Sequence, residues 1–232
     1  MVQVKTYHLP PTPLIPNNPY PLLHYPGLLT QKHPQNSSTY DPSTVYQLFH
    51  SNNWLVQWIF RYGPTQQSHY HSAAHECMAV LSGTATIRFG VADTSSDLEE
   101  NTHGEAWEKG GIEIQAKAGD VFVLPAGLAH KTYDTKPEAE FDLLTPGRDE
   151  NWIGKVDDPS EVLKGIKLEG FTMLGAYPVG SAWDFAVGQK DDGKHFRDVW
   201  KVPKPERDPV LGASGEGLVG LWKEEKRLRS CE

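Results

Sequence analysis

The stretch Gly63 to Gly83, GPTQQSHYHSAAHECMAVLSG, decides how the rest of the chain is read. His69 and His71 stand two apart, so on an extended strand both imidazoles leave the same face. Glu76 follows after a break of small residues, Ser72-Ala73-Ala74. Two neutral imidazoles and a carboxylate converging on one point suit a first-row divalent metal such as Fe, Mn, Ni, Cu or Zn. Parity leaves an alternative open. An unbroken strand from His69 sends His71, Ala73 and His75 inward and Glu76 outward, so a turn or bulge at Ser72 to Ala74 must reset the register if Glu76 is the ligand. Otherwise His75 is the rival for that place.

A further ligand is expected from Gly119 to His130, GDVFVLPAGLAH, where a short apolar run ends in Pro125-Ala126-Gly127 and delivers His130. Proline fixes φ and glycine opens a conformation closed to most residues, so the chain turns tightly and places His130 reproducibly.

These two segments resemble the two motifs of the cupin superfamily. The first reads Gly63, five residues, His69-x-His71, four residues, Glu76, six residues, Gly83; the second reads Gly119, five residues, Pro125-x-Gly127, two residues, His130. The second motif commonly closes on Asn, and Asp134 stands in that place here. The segments Phe171 to Phe185, FTMLGAYPVGSAWDF, and Val202 to Trp222 narrow the resemblance to the YjlB-like single-domain cupins of bacteria and fungi, over Tyr7 to Trp222. The resemblance implies His69, His71, Glu76 and His130 as ligands of one divalent transition metal per chain. It also implies a small-molecule ligand or substrate and a homodimer. The function expected is that of a metalloenzyme, oxygenase or isomerase/decarboxylase in type, acting on a small oxygenated organic molecule. Glu76 is then also the candidate catalytic base. A non-catalytic metal-dependent or sugar-binding cupin is the alternative, and an interaction scaffold a third, because fold alone does not fix activity.

The chain has 232 residues and a net charge of −8, with a pI near 5.7. That length suits one all-β domain, and the charge argues against a broad nucleic-acid surface. No apolar run reaches the roughly 18 residues of a membrane span, and Met1 to Tyr20 lacks the order of a signal peptide. A soluble, cytoplasmic protein is expected. Two cysteines, Cys77 and Cys231, imply no disulfide framework; Cys77 reads as a small buried hydrophobe.

The fold expected is an all-β jelly-roll barrel, with short peripheral helices and extended arms at both ends. Residues 1–53 form an N-terminal arm and short helix, 54–176 the barrel core, and 177–232 a C-terminal arm. Pro-rich phrases such as PPTPLIPNNPYPLL discourage a central strand, while Leu14, Ile15, Leu22, Leu23 and Tyr25 indicate an arm lying along the barrel or a partner subunit. Asp41-Pro42 starts a short helix, and Asp158-Pro159 another. Trp54 to Tyr62 is a strand with Trp58, Phe60 and Tyr62 on one face, read as core, or as an apolar wall where it meets the metal cavity. Val91 to Gly111 is a solvated acidic loop carrying His103, and Gly180 to His195 is loop-like. Gly217 to Arg229 is a candidate terminal helix. His33 and His50 lie outside both motifs and are assigned to the surface.

Overall fold

The computed structural model describes residues 2–32, 39–146, 152–191 and 194–223. Its strands are β1 (Lys5–Tyr7), β2 (Leu22–Tyr25), β3 (Trp54–Arg61), β4 (Glu76–Ser82), β5 (Thr84–Phe89), β6 (Ile112–Lys117), β7 (Val121–Leu124), β8 (His130–Lys136), β9 (Asp142–Leu143) and β10 (Thr172–Pro178). They form a seven-stranded sheet in the order β1-β2-β7-β4-β10-β3-β9 and a three-stranded sheet in the order β6-β5-β8, paired antiparallel throughout; short helices flank them, among them α1 (Leu28–Lys32) and α5 (His195–Trp200).

The large sheet is buried on both faces, and the period of two in its strands says which residue goes where. From β4, Met78 and Val80 join Phe122, Met173 and Tyr177 against Ala85, Ile87 and Phe89 of the small sheet. Their sequence neighbours Cys77, Ala79 and Leu81 turn the other way, with Val121, Val123, Leu174 and Ala176. That outer face is covered by the helices α2 (Pro42–His50) and α4 (Pro159–Lys164) and by the chain's ends, through Val45, Phe49, Leu163, Leu218 and Trp222. Cys77 is accordingly a free, fully buried apolar filler.

Both helix starts form at the positions the capping signals mark. Asp41 accepts from the Ser43 and Thr44 N–H groups, and Asp158 from that of Glu161. Three expectations need amending. The Pro-rich N-terminal segment supplies interior strand β2, because Pro21 and Pro26 stop just short of Leu22–Tyr25 and leave those residues free to pair with β1 and β7. The acidic loop holds a one-turn helix, α3 (Leu98–Thr102), capped by Asp97 and carrying buried Asn101 and Thr102. The terminal helix narrows to α6 (Leu218–Leu221), and residues 224–229 of that expectation, like His33 and Cys231, lie outside the described residues.

Candidate metal centre

The break the register argument requires is present: β4 begins at Glu76, and residues 71–75 are not strand. His69 sits directly opposite His130, with paired backbone hydrogen bonds of 3.1 and 2.8 Å. The Gly127 N–H donates to the His71 carbonyl at 2.8 Å, tying the second motif's turn to the first motif. Gly127 has φ +86°, and a Cβ there would stand 2.6 Å from Val199, so the turn requires glycine twice over. Asp93 accepts from the Ser68 N–H (2.9 Å) and from the buried Lys131 ammonium (3.1 Å). Those donors adjoin His69 and His130 in sequence, so one carboxylate pins both histidine-bearing segments. Asp134 has φ +53°, a left-handed conformation that Asn and Asp tolerate better than most residues, which accounts for Asp in the place of Asn.

His69, His71 and His130 are buried and bring one nitrogen each within 4.8 Å of one another. Each ring presents Nδ1 to a backbone carbonyl: Gln67 for His69 at 3.1 Å, Asp184 for His71, and Leu128 for His130 at 3.3 Å. A carbonyl only accepts, so each Nδ1 carries the proton and each neutral ring keeps its lone pair on Nε2. Glu76 lies among them, Oε1 3.0 Å from His71 Nε2 and Oε2 3.4 Å from His130 Nε2. Tyr177 donates its hydroxyl to Glu76 Oε1 and receives the Trp58 indole N–H at 2.9 Å. Glu76 Oε2 is buried with no hydrogen-bond partner among the described residues.

Burial, with the neighbouring imidazoles, depresses the basicity of His69 well below the ordinary value. Burial also lowers that of His130, to about 4. At His71 burial pushes the same way, but Glu76 and the Asp184 carbonyl outweigh it and leave the ring raised. Burial pushes the Glu76 carboxyl up; His71 and His130 outweigh that and hold it below the usual carboxylate value. Tyr177 is pushed well above the ordinary phenol by burial and by Glu76, so it remains a donor.

Lone pairs of neutral rings facing a carboxylate at 3.0 and 3.4 Å repel unless a proton or a cation joins them. An orphaned carboxylate oxygen beside three inward Nε2 atoms therefore fits a divalent metal, and nitrogen and oxygen donors suit the first-row ions.

His75 is turned away from this cluster. Its Nδ1 accepts the Ala126 N–H at 2.9 Å, and its ring packs against Trp222 with centroids 4.8 Å apart. It fastens the second motif's turn to the C-terminal segment. His50 stacks on Tyr46 at the surface, and His103 is half-exposed beside Asp134.

Above the histidines lies a cavity of about 230 Å³. Trp58, Phe60 and Tyr62 line it, so the aromatic stripe of β3 is core and cavity wall at once. Gly175 makes this possible, because a Cβ there would stand 2.0 Å from the Trp58 indole. Sequence reasoning missed the roof. Trp183 packs edge-on to His71, and Phe185 stacks on His69 with centroids 4.1 Å apart and planes within 13°. Between them the Asp184 carboxylate accepts from the Ser72 N–H (2.7 Å) and hydroxyl (2.8 Å), and Ala186 pairs with Tyr70. The available signal was the aromatic pair in SAWDF, inside a segment otherwise of loop composition.

A jelly roll with a buried histidine cluster between its sheets defines a class, and comparison agrees: the family model described as Cupin matches residues 26–151, more than half of the chain. The chain belongs to the cupin family. It is 26% identical over 225 residues to the protein YjlB of Bacillus subtilis (strain 168), described as uncharacterized, covering 95% of this chain and 97% of that one. Among solved structures it is similar to RmlC from Streptococcus suis in complex with dTDP-D-xylose, at 11% identity and a TM-score of 0.32, over 79% of this chain and 76% of that chain. It is also similar to the hydroquinone 1,2-dioxygenase PnpCD, at 15% identity and a TM-score of 0.28, over 55% of this chain and 59% of that chain. Among the described residues no helix is long and apolar enough to cross a membrane.

Proposed function

We propose that this cupin is a metal-dependent enzyme acting on a small oxygenated organic molecule. His69, His71, His130 and Glu76 are the residues that hold the metal. The carrying observation is the common orientation of the three rings, each fixed through Nδ1 by a backbone carbonyl so that Nε2 faces the cavity. Such outer contacts set the tautomer and raise the ligand basicity of a metal-binding histidine. A metal held there, one of Fe, Mn, Ni, Cu or Zn, would supply Lewis acidity or dioxygen activation.

The chain's own residues supply the rest. Trp58, Phe60 and Tyr62 exclude water from one side of the cavity and Trp183 and Phe185 cover the other, which strengthens the electrostatics within. Among the described residues Glu76 is the only carboxylate lining the cavity. Its Oε1 is held by Tyr177, so Oε2 is the oxygen that would touch the metal or, once free of it, accept a proton from the reacting molecule. A free, buried Cys77 is compatible with a reducing, cytoplasmic setting.

The test is elemental analysis of protein purified without added metal or a His tag, followed by oxygen uptake with diketones, phenols and keto acids. Near-stoichiometric Fe, Ni or Cu with uptake supports the oxygenase branch, and Zn or Mn without uptake supports isomerisation or decarboxylation. Protein that binds no metal on reconstitution refutes the reading.

A further inference from the structure

The walls of the cavity limit what can enter it. Six of the lining side chains are aromatic: Trp58, Phe60, Tyr62, Phe141, Trp183 and Phe185. They are packed on one another as well as around the space, Phe60 on Phe141 with centroids 5.1 Å apart and planes within 28°, and Trp183 nearly parallel to Tyr177 behind it. Among the described residues neither lysine nor arginine lines the cavity. At about 230 Å³ it lies below the roughly 300–1,000 Å³ usual for ligand pockets.

Each of these facts excludes something. Beyond the histidine cluster, a phosphate, a second carboxylate or a sugar nucleotide would lose its hydration against ring faces that carry no cation among the described residues, a penalty of several kcal/mol per charge. An aliphatic polyol would bury more hydroxyls than the Gln66 amide and the Tyr62 hydroxyl can bond. A flat ring loses nothing polar and gains offset-stacked or edge contacts on both sides.

One lining residue departs from this pattern. Gln66 is the polar residue of the wall outside the proposed ligand set, and its Nε2 is buried with no hydrogen-bond partner among the described residues. A buried amide donor without an acceptor is a standing penalty that a correctly placed ligand oxygen removes. An analogue lacking that oxygen leaves the penalty in place, so such a group discriminates between molecules of the same shape.

We propose that the cavity takes a small uncharged aromatic molecule bearing two oxygens, one directed to the histidine cluster and the other, a hydrogen-bond acceptor, to Gln66, which acts as the specificity residue. The first of these contacts rests on the metal reading above; the aromatic slot and the Gln66 contact do not.

The experiment is a calorimetric titration of protein whose metal content has been measured, using the three hydroxyacetophenone isomers, the three matching ethylphenols, oxalate and glucose 1-phosphate. Expected is one hydroxyacetophenone isomer binding about tenfold tighter than its ethylphenol, the worth of one hydrogen bond, with oxalate and glucose 1-phosphate weaker than both. In Q66L, similar in shape but without the donor, that tenfold ratio collapses to about one while the ethylphenol is bound as before. Oxalate or glucose 1-phosphate binding more tightly than every aromatic, no aromatic binding at all, or a ratio that survives Q66L would overturn the proposal. The wild-type series decides the ligand class even if Q66L fails to fold. Protein that takes up no metal yet keeps the aromatic preference defeats the metal reading and leaves this one standing. Fully loaded protein without the preference does the reverse.

Discussion

The site has a floor and a roof that reach it by different routes. The floor, His69, His71, Glu76 and His130, comes from two short segments brought together by adjacent antiparallel pairing, His69 opposite His130 and Glu76 opposite Leu124. The roof, Trp183 to Phe185, comes from a segment 113 residues beyond His71 in sequence, held by a few side-chain contacts and one two-residue bridge. The floor is part of the sheet ladder and shares its cooperativity. The roof is an attachment, and segments with few buried contacts open at lower free energy than core strands. On the proposed reading this division separates metal affinity from access: the floor would set the first and the roof the second.

The largest effects should come from the floor. Replacing His71 or His130 with Ala is expected to lower metal affinity by at least about 100-fold, measured by competition with a chelator, while the fold survives because the ladder bonds around each are backbone bonds. Retention of wild-type affinity by both variants would move the metal elsewhere. H75A is the paired control, expected to leave metal content unchanged and to lower Tm through loss of the Ala126 contact and packing on Trp222.

Next in size is G175A, which drives a Cβ into the Trp58 indole. Overpacking of this kind costs about 1–3 kcal/mol. The prediction is a lowered Tm together with a changed tryptophan emission, since Trp58 is also hydrogen-bonded to Tyr177 and through it to Glu76. A lowered Tm with unchanged emission would mean that the sheet yields instead of the indole.

How much of this was legible in the sequence follows the same division. Strand period put His69 and His71 on one face and short turns carried His130 toward them, but parity left Glu76 and His75 as rivals; the resemblance to the cupin motifs chose Glu76, and with it the break at Ser72 to Ala74. The aromatic face of β3 was visible, but not that it serves as core and wall together; that depends on Gly175, a residue on another strand. Trp183 and Phe185 left no periodic trace, because an irregular segment is placed by contacts such as Asp184 with Ser72 that spacing does not encode. The N-terminal segment misled for a related reason. Its composition is that of an arm, yet four residues between two prolines suffice to pair, and their burial decided the outcome.

D184A tests the roof directly. Two hydrogen bonds to Ser72 are lost while the backbone carbonyl that orients His71 remains. Expected are faster amide exchange across residues 180–188 and about a tenfold fall in metal affinity, the lower end of what outer contacts contribute. Loss of metal as complete as in H71A would erase the distinction between floor and roof, and unchanged affinity with faster exchange would sharpen it.

The smallest effect is expected where neither region is touched. On the outer face of the small sheet Glu113 accepts from Arg88 (2.9 Å) and from the Tyr133 hydroxyl (2.6 Å), while Trp107 and Tyr133 flank the guanidinium. The bond from Tyr133, outweighing partial burial, and then Arg88 hold the Glu113 carboxyl below its ordinary value. A carboxyl depressed in the folded state stabilises fully above its unfolded value, near 4.3, and that contribution drains away as pH falls through the lower folded value. E113Q should therefore lower stability at pH 7 by no more than about 1 kcal/mol, because the side chain is 47% exposed and solvent screens the pair. The difference from wild type should shrink on acidification, as read from urea midpoints at pH 7 and at pH 3. Metal affinity should not move: a metal defect in E113Q would show that the small sheet's outer face reaches the floor through β8, which carries both Tyr133 and His130, and the floor would then be less self-contained than its short segments imply.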